Sequence, residues 1–281
     1  MRWFVTGAAG MLGTDLVERL RRSGYEVTAV TRADLDITDV DATHAAVAGH
    51  QVVVNCAAWT AVDDAEAHES EAFETNAVGA AALARAARAH RARMVQISTD
   101  YVFDGNATEP YAEDAPLCPA SAYGRTKAAG EWAVRAGCAD HLMVRTAWLY
   151  GAHGACFPRT IARAAAERGS LDVVTDQVGQ PTWTADVADL VVRLVDSVAP
   201  AGTYHATAGG RASWYDFARA VVGAAGMDPG IVHPTDSAAF SRPAPRPAFS
   251  VLGHDGLDAA GVAPIDDWSQ RWDLAAGAVL G

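Results

Sequence analysis

The chain has 281 residues, 50% hydrophobic and 20% charged, with a net charge of −12. That length can bury a large core and suits one α/β domain with a second lobe, or two small domains. The apolar content excludes disorder, the missing basic cluster argues against nucleic acid as the main partner, and no apolar run approaches the ~20 residues of a membrane helix. A nucleotide ligand stays open, since a few arginines can dominate one pocket. The N-terminus shows no signal-peptide core and no cleavage site. The four cysteines, Cys56, Cys118, Cys138 and Cys156, are scattered without metal spacing. They read as reduced thiols in a cytoplasm. The 34 acidic residues are compatible with Mg²⁺, but no ligand set with recognisable spacing supports it, and no metal residue is assigned.

A β-rich run, Arg2 to Thr6, opens the chain. It meets Gly7-Ala-Ala-Gly10-Met11-Leu12-Gly13 and then a helical pattern through Arg22. Strand, glycine turn and helix form the context of a dinucleotide site. Gly7 allows the tight turn, Gly10 lets the backbone approach a pyrophosphate, and Gly13 lets the helix pack on the strand. The helix N-terminus would then face the phosphates with free N–H groups. A second strand, Glu26 to Val30, should end at the adenosine ribose. NAD enzymes place an acidic side chain there, whereas this chain has Thr31 and Arg32. Arg32 either meets a 2′-phosphate or points to solvent. Thr38 or Asp39 would cap a helix running to Gly49. The third strand, Gln51 to Val54, is a continuous apolar run, as a buried parallel strand should be. After it, the small residues Cys56, Ala57 and Ala58 would let a cofactor lie against the backbone. Thr60, Val62 and Asp63 would line the route to the substrate. Glu69 to His90 reads as one long alanine-rich helix. Asn76 within it either bonds backbone near the site or sits on the helix surface.

A fourth strand, Met94 to Ile97, delivers Ser98-Thr99-Asp100-Tyr101 at its carboxyl end, where open parallel sheets hold their catalytic groups. Beyond a proline-containing loop comes Tyr123-Gly-Arg-Thr-Lys127. Tyrosine and lysine at i and i+4 share one helix face. A phenol keeps its proton at neutral pH. A nearby ammonium is expected to lower its pKa and improve it as a proton donor. A hydroxyl from Ser98 or Thr99 can donate to the same substrate carbonyl. The chemistry that these groups fit is reduction of a ketone by a hydride.

The rest of the chain is less regular. A fifth strand, Leu142 to Thr146, ends in Trp148-Leu-Tyr150, where Trp148 is either a flat wall for a sugar ring or a core tryptophan. A helix over Phe157 to Arg168 precedes a strand over Leu171 to Val174. Gln177 lies in a loop that would close over nucleotide or sugar. Thr184 is expected to cap a helix from Ala185 to Val198, and Ser213 another. Ile231 to Pro247 shows little regular pattern. Its Arg242 and Arg246 can grip a diphosphate with paired hydrogen bonds. An amphipathic helix, Trp268 to Leu280, closes the chain.

Taken together, Gly7/Gly10/Gly13, "NCAAWTAVDDAE", "STDYVFDG", "YGRTKAAGE", "RTAWLYG", "DQVGQPTW" and "RPAPRP" resemble the dTDP-4-dehydrorhamnose reductase family, within the extended short-chain dehydrogenase/reductases. The matches span nearly the whole chain in order. Trp59 is a departure, since related sequences often carry histidine there. The resemblance implies an α/β fold: a Rossmann-type parallel sheet with helices on both faces and a smaller C-terminal substrate-binding lobe. Residues 1–150 would bind NAD(P), and 151–281 would mainly bind substrate, with some strands and helices returning to the Rossmann core. It implies reduction of the 4-keto group of a dTDP-4-keto-6-deoxy-L-hexose, foremost dTDP-4-dehydro-L-rhamnose, by NADPH or NADH. The catalytic residues would be Thr99, Tyr123 and Lys127. Asp36 and Ile37 would pass the adenine, and Ser98 would join the cofactor site. Asp100, Tyr101, Trp148, Gln177, Arg242 and Arg246 would join Val62 and Asp63 at the substrate. The alternatives are a related ketoreductase of antibiotic sugars, such as a dTDP-dihydrostreptose synthase, or a non-catalytic NADP-binding regulatory subunit. A monomer or homodimer is expected.

Overall fold

In the computed structural model, which describes residues 1–281, five strands separated mainly by helices run from Arg2 to Thr146. They are β1 (Arg2–Thr6), β2 (Glu26–Val30), β3 (Val52–Asn55), β4 (Arg93–Thr99) and β5 (His141–Thr146). A sixth strand, Gly202–His205, arrives late and pairs in parallel with β5. The sheet is parallel throughout, in the order β2-β1-β3-β4-β5 with Gly202–His205 at the edge. β2 and β3 lie on opposite sides of β1, so the connections diverge there and leave a crevice beyond the carboxyl ends of β1 and β3.

Side chains alternate across a strand. Trp3 and Val5 of β1 enter one core with Leu12, Leu16 and Leu20 of α1 (Met11–Arg22) and Val187 and Val191 of α7 (Thr184–Asp196). Phe4 enters the opposite core, with Val47 of α2 (Val40–Val47), Leu83 of α4 (Ala80–Ala89) and Val134 of α5 (Ala122–Gly137). The helices therefore cover both faces. A third core lies in the second lobe. There Tyr150, Phe217 and Trp272 meet between α6 (Phe157–Arg168), α8 (Trp214–Ala224) and α10 (Trp268–Leu280). No helix is long and apolar enough to cross a membrane.

Several elements differ from expectation. The helix expected over Glu69 to His90 is α3 (Glu69–Phe73), then a π-helical segment Glu74–Gly79, then α4. Thr184 is not a cap. It is the first residue of α7, and its hydroxyl donates to Asp15 and reaches the Tyr150 carbonyl. Asp39, not Thr38, caps α2 by accepting from the Ala42 N–H. Ser213 does cap α8, in a reciprocal box with Asp216. Val232–Thr235 forms a strand despite Pro234, because it pairs in parallel with Leu171–Val174. The strand Gly202–His205 and helix α7 place part of residues 151–281 in the central sheet and against α1.

Candidate active site

A cleft of 1070 Å³ opens along the carboxyl ends of β1, β3 and β4. At one end is the glycine turn. Gly7 has φ +65°, and a Cβ there would stand 2.5 Å from the Ala57 N atom; a Cβ at Gly13 would stand 2.2 Å from the Gly7 carbonyl. The turn therefore presses β1, α1 and the segment after β3 together, as only glycine permits. Gly10 precedes α1 with no side-chain cap, and Met11, Leu12 and Gly13 line the cleft. Amides of a helix's first turn have no partner within the helix. Together with the positive end of the dipole, they suit a pyrophosphate.

Arg32 and Asp36 are exposed and line the cleft beyond β2, with buried Ile37 beside them. Backbone and side-chain hydrogen bonds from Thr38 hold Asp36 below the usual carboxylate range. The Thr31 N–H and hydroxyl both bond Asp34. No carboxylate replaces Arg32 at the tip of β2. Cys56, Ala57, Ala58 and Thr60 form the wall after β3. Burial pushes the Cys56 thiol up to about 12, so it stays neutral.

At the other end Ser98, Thr99, Asp100, Tyr101, Tyr123 and Lys127 converge. Ser121 caps α5 by accepting from the Gly124 N–H, which fixes the helix start at Ala122, one residue before Tyr123. The Thr126 hydroxyl donates to the Tyr123 carbonyl, 2.9 Å away, and accepts from Asn76 at 3.0 Å. Asn76 also accepts from the Trp59 N–H at 2.9 Å, so the π-helical segment pins the loop after β3 to α5. A π segment at such a position is a recurrent functional feature. The Tyr123 phenol lies within hydrogen-bonding reach of the Thr99 hydroxyl. Thr99 Oγ1 donates to Asp100 Oδ1 at 2.8 Å. Burial pushes Asp100 up to about 6, against hydrogen bonds from Ser250 and Thr99, and no hydrogen bond closes on its Oδ2.

One expectation is corrected here. Burial raises the Tyr123 phenol above its ordinary value, the Thr99 hydroxyl opposes this, and Lys127 is not among the groups that act on it. The reason is geometric: Lys127 Nζ donates to the Ile97 carbonyl at 2.7 Å, so its charge is held toward β4. Burial in turn lowers Lys127 to about 8, with Glu131 and then Cys56 favouring its charged form.

Val62 lines the cleft, and so does Trp148. Trp148 stands at φ +48° and stacks flat on Trp214, with ring centroids 3.5 Å apart. A non-glycine residue in this region is held by its surroundings. Four expected residues do not line the cleft. Asp63 pairs with Arg246 at 2.8 Å and Arg242 at 3.7 Å, closing the rim with the segment before Pro247. Arg246 is thus occupied by a carboxylate and only 22% exposed, whereas Arg242 makes no hydrogen bond to Asp63 and is 60% exposed. Gln177 donates to Ser237 at 2.8 Å, and Asp176 holds the same serine, so that loop is pinned to Ser237 and not to the cleft.

Thr6, Glu74, Thr75 and Thr146 also line the cleft, without a signal in the sequence, and so does Thr31, which directly follows β2 beside Arg32. Glu74 and Thr75 lie in the π segment. The fold also gathers Asp15, Glu18 and His153, with ligand atoms within 4.8 Å of one another. Their separation in sequence hid them. Here His153 Nε2 lies 3.4 Å from Asp15 Oδ1 and 3.8 Å from Glu18 Oε1, which brings the turn after Tyr150 against α1, and the Thr184 hydroxyl already donates to Asp15.

The family described as the RmlD substrate binding domain matches residues 1–277. The chain belongs to this family. It is 51% identical to a probable dTDP-4,6-dihydroxy-2-methyloxan-3-one 4-ketoreductase of Streptomyces antibioticus, over 95% of this chain and 92% of that protein. It is 49% identical to a dTDP-4-dehydrorhamnose reductase of Streptomyces griseus, over 95% and 90%. A dTDP-4-dehydrorhamnose reductase from Bacillus anthracis, solved in complex with NADP, superimposes with a TM-score of 0.93 at 35% identity, covering 98% of each chain. Family membership thus agrees with a parallel α/β sheet and a cleft at its carboxyl edge.

Proposed function

We propose that this RmlD-family chain reduces the 4-keto group of a dTDP-4-keto-6-deoxyhexose with NADPH, in the cytoplasm. One observation carries the reading: Thr99, Tyr123 and Lys127 meet in one cleft whose far end offers a glycine turn and free helix amides. The names of the relatives supply the substrate class. NADPH, when bound, supplies a hydride. The residues would hold it as follows: first-turn amides of α1 at the pyrophosphate, Arg32 at the 2′-phosphate, and Lys127 at the ribose hydroxyls. An ammonium has three donors, and Ile97 takes one.

Tyr123 gives its proton to the sugar oxygen as charge develops there, which is general acid catalysis. Its raised pKa keeps it protonated beforehand. Thr99 lies beside the phenol; its single hydroxyl proton, donated to Asp100 in the free protein, would turn to the sugar oxygen and polarise it. Trp148 and Val62 wall the sugar. Arg246 would leave Asp63 to meet the diphosphate, whose binding then positions the carbonyl. Among sugars, dTDP-4-dehydro-L-rhamnose comes first. Trp59 and the 51% identity to the Streptomyces antibioticus protein favour a ketoreductase of another deoxysugar as the second reading. The regulatory-subunit reading has no such support, since the three catalytic groups are present and converge.

Oxidation of NADPH that depends on added dTDP-4-keto sugar tests the proposal. Oxidation no faster than without sugar would reject it.

A further inference from the structure

Glu131 lies one turn beyond Lys127 on α5 and is 1% exposed. A buried carboxylate is tolerated only when paired and hydrogen-bonded. Its Oε1 accepts from Ser98 Oγ at 2.6 Å and Arg145 Nε at 2.9 Å. Its Oε2 accepts from Arg145 Nη2 at 2.9 Å and Arg135 Nη2 at 3.2 Å. Arg145, on β5, is wholly buried and continues to the Glu113 carbonyl at 3.0 Å and His205 Nε2 at 3.3 Å. One carboxylate thus ties together α5, which carries Tyr123 and Lys127, the residue preceding Thr99 on β4, and β5.

We infer that Glu131 is a positioning residue that keeps the Lys127 ammonium charged for its grip on the cofactor ribose. This rests on the ketoreductase reading of the cleft. Lys127 hydrogen-bonds only a neutral carbonyl, that of Ile97. The titratable groups that act on it are Glu131 from its own helix and Cys56 from the segment after β3. Tyr123 of α5 lies one turn before it, and β4 offers Ser98 and the Ile97 carbonyl. The Cys56 thiol is neutral at working pH, so Glu131 is the source of negative charge. Beyond Glu131, burial and then Arg145 lower His205 to about 3, which leaves it neutral. Glu113, 4.0 Å from His205, belongs to that outer group. Arg145 and Arg135 are the cations that face Glu131.

Burial lowers the Lys127 pKa and a neighbouring negative charge opposes the fall. Without that charge Lys127 loses its proton at lower pH, and both cofactor binding and turnover decline sooner on the alkaline side.

The test compares pH profiles of kcat and of NADPH affinity, the latter by fluorescence titration without sugar. Glu131→Gln keeps the shape and an acceptor for Ser98. Its alkaline limb should move down by about 1 pH unit or more, the range for one nearby charge, with turnover on the acid side close to wild type. Because Gln leaves Arg145 unpaired in the interior, Glu131→Gln/Arg145→Met is measured as well. No buried charge is stranded there, and its limb should move the same way. Glu131→Asp restores the charge and should return the limb toward wild type. A limb within about 0.3 unit of wild type in the folded variants, far less than one nearby charge produces, would overturn the inference. Wild-type protein that binds NADPH but reduces no dTDP-4-keto sugar would instead sink the ketoreductase reading, while the binding profile still judges Glu131.

Discussion

Two side chains at the carboxyl end of the sheet are held in protonation states that their environment sets. Tyr123 is buried and neutral, so removing its hydroxyl removes a proton donor and little packing. Tyr123→Phe should lose ~10²–10⁴ of kcat, with NADPH affinity nearly intact by titration. A variant that keeps more than roughly a third of wild-type turnover, against that expectation, would show that another group is the acid. Asp100 is the opposite case. Its folded pKa, about 6, lies above its ordinary value because of burial. A raised carboxyl contributes stability at low pH that is lost as the pH rises through the folded pKa. Asp100→Asn does not titrate, so it should gain on wild type between acid and alkaline pH by on the order of 2 kcal/mol. Thermal midpoints at pH ~5 and ~8, either side of the folded value, check this; a constant difference between the two proteins would show that Asp100 is not the titrating group. With Lys127 lowered to about 8, the pH profile of wild-type kcat should show an alkaline limb near that value if Lys127 holds the cofactor.

At the scale of elements, the contact between α5 and the π segment shapes the site. A Cβ on Gly130 would stand 2.2 Å from the Asn76 carbonyl. Gly130→Ala should therefore cost ~1–3 kcal/mol, as overpacking does, and disturb the hydrogen bonds from Asn76 to Trp59 and Thr126. Calorimetry measures the first effect; an unchanged thermal midpoint would mean that the helices separate freely there. The β1–α1–β2 unit, α6 and α10 were legible in the sequence because local signals agree: alternation, glycine turns and apolar faces. Tyr123 and Lys127 were legible because one helix turn places them. The π segment was not, since Glu69 to His90 carries a good helical pattern and nothing local marks the change of helix type at Glu74–Gly79, which lies against α5. Gly202–His205 escaped notice because four residues show no clear period and their place depends on β5. The Lys127–Ile97 bond was equally hidden: i to i+4 spacing says that Lys127 is near Tyr123, not where its ammonium points.

Over the whole molecule, the two lobes meet at the rim where Arg246 and Arg242 hold Asp63. If the diphosphate takes Arg246 from Asp63, Arg246→Ala should raise KM for the dTDP-sugar by the equivalent of ~1.5–3 kcal/mol. The pair is partly exposed, so the thermal midpoint should fall only by the equivalent of ~0–1 kcal/mol. Unchanged KM in Arg242→Ala/Arg246→Ala would remove this segment from the diphosphate site. Cofactor choice is likewise set at one end of the cleft: with Arg32 at the tip of β2, kcat/KM with NADPH should equal or exceed that with NADH, and a clear NADH preference would place Arg32 in solvent. The central claim is hydride delivery to C4 of a nucleotide-linked sugar. The measurement closest to it is NMR of the product after incubation with dTDP-4-keto-6-deoxy sugar and NADPH carrying deuterium at the nicotinamide C4. The product should be a dTDP-6-deoxyhexose with a hydroxyl and deuterium at C4. Recovery of the ketone without deuterium, or equal reduction of the free keto sugar, would contradict it.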